Sequence, residues 1–142
     1  MTTEDREDGR LRQHPAKRFA PRERRFDIEE CYDELLSEPH EPTDGHRQIT
    51  LAHHDSLTLI LFHFEAGSSL PEHVVEGAVT IHILEGDVEI ETDDEVHHLE
   101  DDQILVLAPK VKHDFRALDE TRMLLTVHLA RKKERSSVNP PD

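Results

Sequence analysis

The chain has 142 residues, the size of one ordinary domain, with 32 Asp and Glu against 17 Lys and Arg for a formal net charge of −15. A single cysteine excludes an internal disulfide, no apolar run reaches membrane-spanning length, and the N-terminus lacks the apolar core of a signal peptide. A cytoplasmic protein is expected. The acidity is concentrated in residues 26–130, where 25 acidic and 5 basic residues give a net −20 that repels nucleic acid and anionic membrane.

The first 25 residues hold 8 basic and 5 acidic side chains and few aromatic ones. They are expected to form a disordered basic arm able to dock on an acidic domain, its own or a neighbour's. Lys is scarce beside Arg, 5 against 12. The acidity therefore has two readings, a plain soluble surface or adaptation to a salty cytoplasm.

Residues 26–46 read as a short helix and a linker. In "FDIEECYDELLSEP", Asp27 is the N-cap and Glu30 lies three residues on, as in a capping box. Ile28, Cys31, Tyr32 and Leu35 recur at helical spacing, and Pro39 stops the run. Glu29, Glu30 and Asp33 surround Cys31 with negative charge, which raises a thiol pKa and makes it inert.

From Arg47 the pattern changes to about eight short segments rich in Val, Ile, Leu, Phe and Thr: "RQITLA", "SLTLILFHFE", "AVTIHILE", "DVEIET", "EVHHL", "QILVLA", "HDFRA" and "RMLLTVHLA". Turn residues separate them, at a spacing that predicts an all-β sandwich or closed barrel over 47–130. "LEGDVEI" is a tight hairpin in which Gly86 is free to take positive φ. Residues 131–142 are a polar, flexible tail.

Strand parity assigns faces. If Val79 faces inward, Ile81 and Ile83 follow, and His82 points outward with Thr80 and Leu84. Met123, Leu125, Val127 and Leu129 form one apolar face of the last strand, and His128 shares the other with Thr126. For His63 parity leaves both faces open, because Leu57, Leu59 and Leu61 alternate with Ile60, Phe62 and Phe64. His53, His54, His97 and His98, at strand ends, read as surface histidines. There is no Gly-rich phosphate loop, Ser-His-Asp ordering or CxxC.

Two stretches carry a family resemblance. In "GSSLPEHVVEGAVTIHILEG", Gly67 is followed after five residues by His73, and the stretch closes on Gly86 in the wording "LEG". In "EDDQILVLAPKVKHDFRAL", a β-run follows an Asp pair and leads to Pro109 and then His113. In both order and spacing these resemble the two motifs of the cupin superfamily, and most closely its small stand-alone members of uncharacterised function. Asp101 stands where the motif usually has Gly, and Pro109 is shifted by one. The resemblance implies an RmlC-like jelly-roll barrel, a double-stranded β-helix, with one N-terminal helix. It also implies a homodimer, with outward-facing His82 lining the subunit contact.

It further implies a site. Family members place three His and one carboxylate in the barrel to hold Fe, Mn, Ni or Zn. Here His73 and His113 occupy two of those positions, while the second His position is Val75 and the Glu position is Val79. His63 is the best candidate for a third ligand, with Glu76 behind it. Val75, Val79 and Ile81 would make the pocket apolar, which favours a small hydrophobic or mixed ligand. Three functions follow as expectations: a small-molecule-binding cupin centred on His73 and His113; a metal-dependent enzyme of oxygenase or isomerase type with a non-standard ligand set; and a non-catalytic assembly module.

Overall fold

A computed structural model describes residues 22–129. The expected basic arm, up to residue 21, and the expected tail lie outside the described residues. The expected helix forms as α1, Ile28–Leu36. Asp27 caps it from an extended conformation, its side chain accepting from the Glu30 N–H at 3.2 Å. The helix ends at Ser37, two residues before Pro39, because the residue before a proline avoids the helical region.

Nine strands follow: β1 (His46–His53), β2 (Leu57–Phe64), β3 (Ser69–His73), β4 (Ala78–Glu85), β5 (Asp87–Thr92), β6 (Val96–Glu100), β7 (Gln103–Leu107), β8 (His113–Ala117) and β9 (Thr121–His128). All eight expected segments are strands. The ninth, β3, carries Pro71 and reads poorly as a strand from sequence. It is tolerated because β3 is an edge strand whose register breaks between Leu70 and His73, so the missing N–H interrupts no central ladder.

The strands form two antiparallel sheets, a five-stranded one in the order β1-β2-β9-β4-β7 and a four-stranded one in the order β3-β8-β5-β6. Their facing surfaces hold one core, including Phe62, Phe64, Val79, Ile81, Ile83, Val88, Ile90, Phe115 and Met123. Phe64 of one sheet and Phe115 of the other approach with ring centroids 4.4 Å apart, which joins the layers. The inward faces expected for β4 and β9 are the observed ones.

A second cluster lies on the outer face of the larger sheet, where Tyr32 and Leu35 of α1 pack on Leu51 and Leu61. Both helix side chains are fully buried, and each such burial stabilises by about 1.5–3 kcal/mol. The Tyr32 hydroxyl donates to the Phe62 carbonyl at 2.6 Å, fixing the helix to β2.

At one end of the barrel the β4–β5 turn is tied to two others. Gly86 has φ 141°, and a Cβ built there would lie 2.3 Å from Thr121 Oγ1. Its N–H donates to Asp101 Oδ1 at 2.7 Å, and Asp102 takes φ 61°. Asp101, which replaces the usual Gly, thus supplies a side-chain acceptor to the neighbouring hairpin. Asp102 takes the left-handed conformation in its place, one Asp tolerates better than most residues.

Candidate site at the His113 end of the barrel

The opposite end is where segments 74–77 and 108–112 pass between the sheets. Lys110, with φ 69°, donates its N–H to the Val75 carbonyl at 2.8 Å, so the two crossings are held together. His113 opens β8 here, and its backbone pairs with His73 on β3 and Thr92 on β5. The pairing of β3 with β8 thus brings the backbones of the two motif histidines opposite each other.

The His113 side chain is 4 % exposed, and its Nδ1 lies 3.1 Å from the Val111 carbonyl. A carbonyl only accepts, so Nδ1 carries a proton, and whenever the ring is neutral Nε2 is its acceptor or ligating atom. Val75 and Val111 are half-buried against the core, and register sets Val79 beside Leu107 and Val127 in the facing sheet. Ile81 lies two residues deeper, 2 % exposed. Among the described side chains, Val75, Val79, Ile81 and Val111 surround the oriented His113 imidazole with hydrocarbon.

The suggested third ligand does not join it. His63 shares the helix side of β2 with Leu59 and Leu61, while Ile60, Phe62 and Phe64 face the barrel. Its Nε2 is 2.7 Å from Glu120 Oε2. Parity could not decide because both faces of β2 are covered, one by the opposing sheet and one by α1. Glu76 is exposed and lies 3.9 Å from Lys110 Nζ. Val75 and Val79 offer no donor atom. Two of the four usual ligand positions are therefore hydrocarbon, the proposed substitute is on the other face, and this donor set does not fit the family's metal centre.

Other histidines have local partners: His53 Nδ1 with Thr58 Oγ1 at 2.9 Å, His97 with Glu95 at 3.3 Å, and outward-facing His82 with Asp102 at 3.6 Å. Burial pushes the Cys31 thiol up, and Glu34, Asp27 and Glu30 add to it, in keeping with an inert thiol.

Sequence reading passed over one cluster. Asp87 and Glu100 stand directly opposite on β5 and β6, with His98 beside them, and one ligand atom from each lies within 4.8 Å of the others. The three could hold a divalent cation in this exposed setting. His98 hydrogen-bonds Asp87, which is the main cause raising its pKa. The hairpin register of "GDVEIETDDEVHHLE" was the signal that could have found it. An acidic cavity of about 770 Å³ adjoins, lined by Glu85, Asp87, Glu100, Asp101, Asp119 and Glu120.

Comparison with known proteins supports the fold. The Cupin domain family matches residues 60–128. A search of curated proteins gave no match. Among solved structures, a cupin superfamily protein from Desulfitobacterium hafniense is 24 % identical, with TM-score 0.62, covering 78 % of this chain and 94 % of that one. An RmlC-like cupin from Desulfovibrio desulfuricans is 27 % identical (TM-score 0.57, covering 66 % and 92 %). A conserved Streptococcus pyogenes protein of unknown function is 26 % identical (TM-score 0.59, covering 62 % and 77 %). Among the described residues no helix is long and apolar enough to cross a membrane. With its two motif histidines paired in backbone register across β3 and β8 and its two-sheet jelly roll, the described domain has the cupin-type fold, and its residues 60–128 match the Cupin domain family.

Proposed function

We propose that this protein binds a small molecule at the His113 end of the barrel and acts by binding rather than through a resident metal. One observation carries the reading: a buried, oriented imidazole set in a hydrocarbon wall where relatives of this fold would add further donors. Such a wall favours a ligand with an apolar body and one polar group that donates to, or shares a proton with, His113. His73 belongs to this reading because its backbone pairs with that of His113, which supports a shared site. The net −20 domain disfavours nucleic acid as a partner. The single cysteine fits a cytoplasmic setting.

Elemental analysis of protein purified without chelator or His-tag tests this directly. The expected result is substoichiometric transition metal. A full equivalent, lost in both His73→Ala and His113→Ala, overturns the reading in favour of a metal-dependent enzyme.

We further propose a homodimer through the outer face of the five-stranded sheet. Ile104 and Val106, 55 % and 65 % exposed on edge strand β7, lie in register with His82 and Thr80. Light scattering is expected to give twice the chain mass, and Val106→Arg to halve it. A monomeric wild-type protein excludes the interface.

A further inference from the structure

The polarity of α1 decides where the segment before it leaves the domain. Glu29, in the first turn, holds Arg122 of β9 at 3.1 Å, and Glu38, just past the last turn, lies 3.7 Å from Arg47 of β1. The helix therefore runs across the larger sheet from β9 toward the edge strand β1, and its N-terminus stands on the β9 side. Phe26 is half-buried against the helix cluster, and Arg24 lies over its ring at 4.9 Å, which fixes the root of the preceding segment there. Arg122 also belongs to the wall of the acidic cavity of about 770 Å³ at the Gly86 end of the barrel. Among the lining residues it is the one basic side chain, against Glu85, Asp87, Glu100, Asp101, Asp119 and Glu120.

Arg122 does not offset those carboxylates, because its guanidinium is held by Glu29 outside the cavity and stands 3.9 Å from Glu85. Asp101 and Asp119 accept backbone N–H groups, which orient their charge without cancelling it. The segment rooted beside this cavity has the complementary sign: "PAKRFAPRERR", residues 15–25, holds five basic residues and one acidic, net +4. We infer that this stretch docks on the acidic cavity of its own chain, with Lys17 and Arg18 as the cations that enter it. Lys17 is ten residues before Asp27, a reach of about 33 Å when extended. Glu29, two residues beyond Asp27, already touches the cavity wall. The short tether raises the local concentration of these cations and favours them over the same segment of a neighbouring chain. Docked in this way, the arm covers the end of the barrel opposite His113 and leaves the proposed ligand site open.

A nitroxide attached to the full chain carrying Ala16→Cys and Cys31→Ser reads the contact by NMR. Amides of 85–87, 100–103 and 119–122 are expected to lose intensity at low salt and to recover it in about 1 M NaCl, where the Debye length is about 3 Å. Undiminished intensities at low salt, or a loss that persists when Glu85→Gln, Asp119→Asn and Glu120→Gln are combined, overturn the docking. A sample mixing isotope-labelled chains without nitroxide and unlabelled chains with it is expected to show no loss. A loss there assigns the arm to a neighbouring copy and overturns the contact within one chain. If the Cys31→Ser chain does not fold, Lys17→Gln with Arg18→Gln in the otherwise natural chain decides. Shifts of the 85–87 and 119–122 amides then support the contact, and an unchanged spectrum at those positions overturns it.

Discussion

Phe62 and His63 are consecutive on β2 and lie on opposite faces of the sheet, Phe62 in the barrel core and His63 beneath the helix side with Glu120. They should respond very differently to substitution. Phe62→Ala opens a cavity in the core and is expected to cost about 3–5 kcal/mol. His63→Gln breaks a pair whose acid is 70 % exposed, so solvent screening limits the loss to about 1 kcal/mol or less. Urea midpoints of the two variants check this, and His63→Gln should leave ligand binding at His113 unchanged.

The hydrocarbon at Val75 and Val79 is reversible by design. Restoring the family's usual donors in a Val75→His, Val79→Glu double variant should raise transition-metal uptake above that of the wild type. Val79 is 2 % exposed, so the new Glu is costly unless something pairs with it. The double variant should therefore be less stable than wild type when apo and regain stability on adding Zn²⁺, read as a metal-dependent melting temperature. A melting temperature indifferent to Zn²⁺ and chelator would place the two side chains outside any shared site.

Tyr32 ties α1 to the sheet through one buried hydrogen bond. Tyr32→Phe keeps the ring and removes the donor, for an expected loss of about 1–2 kcal/mol in chemical denaturation. Burial is the chief cause pushing the phenol well above its ordinary value. A group raised in the folded state contributes stability that is complete below its unfolded pKa, near 10, and is lost as pH rises toward the folded value. The wild type should thus lose stability above about pH 10 more steeply than Tyr32→Phe does.

His98 titrates in a milder range. Its hydrogen bond to Asp87 raises its pKa, so the stability it contributes is present below the ordinary histidine value and fades as pH climbs through the raised one. An NMR titration should place its midpoint above the ordinary value of about 6.5 and above its own midpoint in Asp87→Asn. An unchanged midpoint in that variant would remove Asp87 as the cause.

Gly86→Ala combines a left-handed φ with a Cβ driven into Thr121. Thr121 is fully buried and cannot withdraw. The variant is expected to lose more than about 2 kcal/mol, measured by its denaturation midpoint.

Most of the barrel was legible because its strands alternate cleanly. Val79, Ile81 and Ile83 face inward with His82 outside, as their spacing implies. The helix was legible from Asp27, whose cap is local chemistry. Illegibility began where tertiary contacts decide. Strand β3 is hidden by Pro71, which only an edge position excuses. His63 sits on a strand covered on both sides, so the alternation that assigns a face elsewhere carries no information there. The Asp87–His98–Glu100 cluster needs a hairpin register, which no motif announces.

The position of β9 bears on how the domain is made. It is the last strand in sequence yet sits third of five in its sheet, between β2 and β4. A nascent chain that has not yet released Thr121–His128 from the ribosome has neither ladder of that strand, and two apolar strands present open edges instead. Completion of the larger sheet therefore waits for nearly the whole described chain to be synthesised. During that interval the acidic side chains provide the charge repulsion that keeps unfinished chains apart.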